Sequence, residues 1–257
     1  MAKRRAVFIG RLGCLLLSAA LAPVAGAVTV AASPWADAHQ LVLVVTPDWN
    51  ADHGTLRTFT RTADGWHAEQ AAAPVTIGKA GAAWGLGLNP AQHDGPLKHE
   101  GDGRSPAGVF RIGEAFGYTA SAATALPYRA LSATDYCVDV SGATHYNRIV
   151  DEKVVGAAAV KGSTEPMRRD LHFHGDQHYR LGFVIDQNPQ DKPQGGSCIF
   201  AHLWDSPTDA TVGCTAMPAA LMQSLLAWLQ PKENPVFVLL PHAEYLRLRA
   251  VWKLPAL

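Results

Sequence analysis

Gly195-Gly196-Ser197-Cys198-Ile199-Phe200-Ala201-His202, then a polar loop from Asp205 to Thr211, then Val212-Gly213-Cys214 and Pro218, is the stretch on which the fold turns. The diglycine ends a loop, and Ser197 to His202 reads as a short strand that closes on a histidine. Pro218 opens a helix: Leu221, Met222, Leu225, Leu226 and Leu229 share one face at three- and four-residue spacing, and Pro231 stops it. A strand, a loop, a Gly-Cys turn and a helix therefore follow one another in a single run.

Working outward, most other apolar segments are strand-like. Gln40 to Thr46 is a β-branched run, and Gly54 to Thr62 and Trp66 to Gln70 flank the turn Ala63-Asp64-Gly65. Val75 to Gly78, Val109 to Ile112, Tyr136 to Val140, Leu181 to Asp186 and Val236 to Leu240 complete the set. Asn89 to Gly108 reads as a long loop, Val154 to Val160 and Glu165 to Asp170 are ambiguous, and Ala243 to Lys253 suggests a terminal helix. Many short strands with one strong late helix predict a mainly β (α+β) domain.

Composition narrows the function. With 257 residues the chain can bury a sizeable core; 17% are charged, 48% hydrophobic, and 23 Gly and 17 Pro argue against a helical bundle. The 22 basic and 22 acidic residues balance, with no basic run beyond the first dozen residues, which speaks against a nucleic-acid binder. A mean hydropathy of 0.00 excludes a polytopic membrane protein.

Lys3, Arg4, Arg5 and Arg11 precede an uncharged stretch from Leu12 to Ser33, with Leu15-Leu16-Leu17 as its most apolar part and Ala25-Gly26-Ala27 as a cleavage site. This pattern predicts a secretory signal peptide over residues 1–27, a linker over 28–38, and one domain over 39–257. An uncleaved anchor is the alternative, since the uncharged run is about long enough to span a bilayer. Cys14 lies before the apolar stretch, where a lipoprotein cysteine would follow it. Cleavage leaves 18 basic residues against 22 acidic ones and no stable membrane span. It also leaves Cys137, Cys198 and Cys214, an odd number, so one disulfide and one free thiol are expected in an oxidising compartment.

Cys214 is the candidate nucleophile. It follows a glycine on a turn leading to a helix, where backbone N–H groups favour a thiolate and can hold an oxyanion. A cysteine nucleophile needs a base, and His202 closes the preceding strand; a hairpin over residues 203 to 213 would bring the two together. The plainer alternative is a buried small side chain and a hydrogen-bonded strand-end histidine.

His202, the loop and Thr211-Val-Gly-Cys214-Thr-Ala-Met217 together resemble the active-site segment of the L,D-transpeptidase (YkuD-like) family, a histidine and a loop followed by Ser/Thr-His-Gly-Cys. Gly101-Asp-Gly-Arg-Ser-Pro-Ala-Gly-Val-Phe110 is similar to that family's upstream segment. Tyr179 to Asp186 and Gly196 to His202 extend the likeness, which runs from about Val75 to Pro241. The resemblance implies a β-sandwich catalytic domain with a helix after the Gly-Cys motif. It implies a cysteine acyltransferase of the periplasm or cell envelope, acting on peptidoglycan stem peptides without metal or cofactor. Cys214 would be the nucleophile, His202 the base, and the N–H groups of Gly213 and Cys214 the oxyanion donors. Thr211 is a candidate for orienting His202, and a backbone carbonyl would serve equally well. An L,D-carboxypeptidase or amide hydrolase, and a non-catalytic envelope-binding module, are the competing readings.

The chain departs from the pattern. Val212 stands where a second histidine is common, Ala216 where an arginine often follows, and the loop is shorter. These changes leave nucleophile and base in place and the substrate open. With Cys214 reserved for chemistry, Cys137 and Cys198, both in predicted strands, are the expected disulfide; a Cys198–Cys214 switch is the alternative. Tyr146, Arg148 and Arg180 are candidates for substrate carboxylates, and Trp204 for a wall of the site. His172-Phe-His174-Gly-Asp-Gln-His178 has enough ligating types for zinc or copper, but its spacing matches no compact metal signature. The favoured reading puts His172 and His174 on one strand face, as a polar rim beside the site. Lys98, Glu100, Asp102 and Arg104 read as a solvated mixed-sign loop. Nothing resembling a heptad seam speaks to oligomeric state.

Overall fold

The computed structural model describes Met1, Ala2 and residues 33–257. Residues 3–27 of the leader, Cys14 among them, and residues 28–32 of the linker lie outside the described residues. Trp35 and Ala38 do not behave as linker: both are buried in the core, and the Trp35 and Trp252 rings meet edge to face at 5.4 Å. No described helix is long and apolar enough to cross a membrane.

The strands are β1 (Gln40–Thr46), β2 (His53–Thr62), β3 (Gly65–Ala68), β4 (Ala73–Thr76), β5 (Ala82–Trp84), β6 (Ser105–Gly117), β7 (Tyr128–Ala130), β8 (Asp135–Cys137), β9 (Ile149–Asp151), β10 (Glu165–Pro166), β11 (Leu181–Ile185), β12 (Phe200–Leu203), β13 (Thr215–Met217) and β14 (Val236–Pro241). Among the described residues four α-helices join them: α1 (Glu152–Val155), α2 (Arg169–His172), α3 (Ala219–Trp228) and α4 (His242–Leu248). The protein is mainly β, as the sequence predicts. Its main sheet runs β1-β14-β6-β11-β12-β13-β4-β2, and β2 pairs back onto β1, so the sheet closes like a barrel. Closure leaves few free edges, and β3, β5 and β7 cover others by pairing outside the ring. The pairing thus gives one closed sheet, where the resemblance implied a sandwich.

Every residue of β1 and β14 is buried, which is why both read as unbroken apolar runs rather than alternating ones. Helix α3 packs on β11 and β12, and α4 on β14 and β1. The chain leaves the barrel after β6 and returns at β11. This excursion carries β7, the small sheet β10-β8-β9, α1 and α2. It meets the barrel through a second, smaller core containing Phe116, Met167, Tyr179, Phe200 and Cys214. The Cys137–Cys198 disulfide fastens the two, joining the pair expected from the sequence.

Two local readings are corrected. The strand predicted from Ser197 begins only at Phe200, because Cys198 has a φ of 54° and its N–H is taken by Asn147 Oδ1 at 2.9 Å. Residues 172–178 form no strand: His172 ends α2, and His174 has a φ of 51°.

Candidate active site

Strands β12 and β13 are parallel, with His202 opposite Ala216. Residues 203 to 213 are therefore a crossover connection and not the hairpin expected from the sequence. Alternation along each strand places Phe200 and His202 on one face and Cys214 and Ala216 on the facing positions. Cys214 is thus a diagonal neighbour of His202, and both line a cavity of about 180 Å³ together with Trp204, Thr211 and Ala216.

The cysteine turn is fixed from two sides. Ser105, fully buried at the start of β6, places its Oγ 2.7 Å from Gly213 O and 2.9 Å from Cys214 O, and accepts the Gly78 N–H at 2.9 Å. Thr211 Oγ1 donates to Cys214 O at 2.7 Å and accepts the Gly213 N–H at 3.1 Å. Its backbone is locked to the segment after β4, through Ile77 O at 2.9 Å and the Lys79 N–H at 2.8 Å. Gly213 has a φ of 155°, and a Cβ there would lie 3.3 Å from Arg104 O.

Of the two candidates for orienting His202, the backbone carbonyl holds it: Leu203 O lies 2.7 Å from Nδ1, while Thr211 shapes the turn. A carbonyl only accepts, so Nδ1 carries the proton and Nε2 is left as the free base. Two expectations change here. The Gly213 N–H is spent on Thr211, whereas none of the hydrogen bonds among the described residues uses the Cys214 N–H. Cys214 is also not at a helix N-terminus, because β13 intervenes before α3.

The thiol is accordingly not activated at rest. Burial pushes Cys214 up to about 12, opposed only in part by the Phe200 N–H, 3.4 Å from Sγ. Sγ donates to Cys198 O at 3.6 Å rather than to His202. Burial also pulls His202 down to about 4. A neutral thiol and a neutral imidazole therefore face one cavity.

The excursion supplies the rest of the wall. Arg169 Nη1 donates to Glu165 Oε1 at 3.1 Å, and its Nε and Nη2 donate to Asp176 Oδ2 at 2.9 and 2.7 Å. The buried Tyr179 hydroxyl donates to Glu165 at 2.9 Å. Burial raises Glu165, with Arg169 and Tyr179 opposing it. His178 lies between Asp176 at 3.0 Å and Asp205 at 3.1 Å, and its ring stacks on His202. Its hydrogen bond to Asp176 raises it.

Behind the cysteine is a second cavity of about 260 Å³, lined by Lys79, Lys98, Glu100, Asp139, Ser197 and Gly213; Glu165, Val212 and Cys214 line both cavities. The loop read as solvated surface is part of this frame. Lys98 is buried against Asp102, and Arg104 donates to Trp49 O and Ala82 O at 2.9 Å each.

Of the residues predicted to meet substrate, only Trp204 lines the first cavity. Tyr146 is buried and donates to Glu100, which also accepts from Ser197 at 2.9 Å. Arg148 pairs with Asp191 at 2.7 Å, and Arg180 is exposed away from both cavities. The histidine cluster is dispersed, with His172 3.2 Å from Ala133 O and only His178 at the cavity. Among the described residues no cluster has the make-up of a metal site. Sequence reasoning missed Glu165, Arg169, Tyr179 and Lys98; the opposite charges of Glu165 and Arg169 at four-residue spacing were the available signal.

No family model matches the chain, and no curated protein or solved structure matches it.

Proposed function

We propose that the protein is an exported cysteine acyltransferase of the L,D-transpeptidase (YkuD-like) type, working on peptidoglycan stem peptides in the periplasm or cell envelope. One observation carries the reading: Cys214 is shared by two cavities, and the free Nε2 of a neutral His202 belongs to one of them. Acyl transfer needs two approaches to one sulfur, one for the acyl donor and one for the acceptor.

In the first half-reaction Sγ attacks the carbonyl of the donor peptide while its proton passes to His202 Nε2. Because neither group is ionised at rest, the proton moves as the C–S bond forms. The Cys214 N–H is the backbone donor for the oxyanion. Collapse breaks the C–N bond, and the departing amine of the terminal residue takes the proton from His202. A thioester on Cys214 remains. An acceptor amine then attacks it, gives a proton to His202, and releases the thiol as that proton returns to sulfur. Water in place of the amine gives hydrolysis by the same steps.

The test is wild type beside Cys214→Ala on purified muropeptides, with intact-mass analysis for an acyl adduct. Cross-linked dimers and an adduct on wild type alone support transfer, and trimmed monomers make the protein a hydrolase. Identical behaviour of the two proteins, with no adduct, leaves a binding module.

A further inference from the structure

We propose that His178 is a positioning residue for His202: gripped at both edges by carboxylates, its ring lies flat against the base and fixes the plane in which Nε2 faces the cavity. The centroids are 5.4 Å apart and the rings are inclined by 27°. Tyr179 closes on His202 edge to face, also at 5.4 Å. With Nδ1 tied to Leu203 O, the base is held at a face, an edge and one nitrogen.

The grip on His178 is built from several parts of the chain. Asp176 comes from the turn just before it and is itself held by Arg169 of α2; Asp205 comes from the connection after β12. Glu165 of β10 completes an alternating row of charge, Glu165–Arg169–Asp176–His178–Asp205, which crosses from the excursion to the barrel. Asp209 on the connection and Cys214 are the remaining titratable groups on the cavity wall. A bond between His178 and Asp205 also pins the connection that roofs the cavity. Beyond holding the ring, a positive His178 repels a proton on its neighbour and reinforces what burial does to His202.

The proposal rests on the reading of His202 as the base, but its first test does not require turnover. Ring signals of His202 are followed by NMR across the acid range in the full-length protein. His178→Phe keeps a flat ring without charge: the His202 titration is expected to move up by roughly one pH unit while the Nδ1–H tautomer persists. His178→Ala removes ring and charge: the titration moves similarly, and the two nitrogen shifts begin to average as the freed ring leaves Leu203 O and its two tautomers exchange. His202 nitrogen shifts that stay unaveraged in His178→Ala overturn the proposal; if that variant does not fold, Asp205→Asn, which opens one side of the grip on His178, is read in the same way. In a muropeptide assay His178→Ala is expected to lower kcat with little change in KM. If His202 responds as stated but wild type turns nothing over, the proposed function fails and the positioning role stands. If wild type is active and His202 does not respond, the positioning role alone fails.

Discussion

Ser105 Oγ sits 2.7 Å from the carbonyl oxygen of Gly213, a bond spanning 108 residues of sequence. It ties the Ser-Pro-Ala-Gly segment at the start of β6 to the Gly-Cys turn, so two motifs far apart in the chain are one structural unit. The buried hydroxyl serves two carbonyls and one N–H, and none of the three has solvent to turn to.

Ser105→Ala should therefore destabilise the fold by about 1–3 kcal/mol, the cost of stranding buried polar groups. Urea unfolding measures it. Activity should fall further than stability does, because the turn presenting Sγ loses one of its two supports.

Thiol reactivity should rise steeply with pH. Since burial pushes Cys214 up to about 12, iodoacetamide should modify the native protein slowly at neutral pH, with the rate growing roughly tenfold per pH unit in alkali as the thiolate fraction grows. Fast, pH-independent labelling near neutrality would show a preformed thiolate–imidazolium pair instead.

Stability should fall on acidification. His202 is lowered in the folded protein from 6.5 to about 4, so its contribution is complete above 6.5 and is lost as the pH drops through 4; the full loss is about 3 kcal/mol. His178 has the opposite sign: raised when folded, it stabilises below 6.5 and that contribution fades as the pH climbs past its elevated value. Urea unfolding at a series of pH values should show the acid decline, and His202→Gln should flatten it.

The disulfide should matter to the site as well as to the fold. Replacing Cys137 and Cys198 by serine is expected to cost about 2–5 kcal/mol. Hydrogen exchange should show the loss concentrated in the excursion, whose sheet β10-β8-β9 is fastened there.

Arg169→Ala leaves Glu165, only 15% exposed, without its cation. A loss of roughly 3 kcal/mol is expected, as for breaking a largely buried pair, together with loosening of the His178 grip through Asp176. Glu165→Gln in the same background should recover part of the stability.

How far the sequence reaches can be read from particular residues. Gln40–Thr46 is β1 to the residue, because a strand buried on both faces leaves an uninterrupted apolar run. Helix α3 was legible from its leucine spacing, and Met222, Leu225 and Leu226 are indeed buried. Cys214 and His202 were legible as types at a spacing, and they do share a cavity. Their ionisation was not legible, because it depends on burial by Phe116 and Tyr179, which come from distant segments. Lys98 looked solvated because nothing local shows that Gly196 and Gly213 close over it. Arg169 and Glu165 sat in an ambiguous stretch, since strands and helices of two to four residues carry no period.

The division of labour between barrel and excursion has a consequence for how such a chain can change. The imidazole is anchored in β12 and the sulfur on the turn leading into β13, strands whose register is set by ring closure, whereas Arg169, Glu165 and His178 arrive on a loop-rich detour between β6 and β11. Rewriting that detour alters what the cavity admits without disturbing a single rung of the ring. Selectivity can therefore drift while sulfur and imidazole keep their places, provided the detour still delivers His178 against the base.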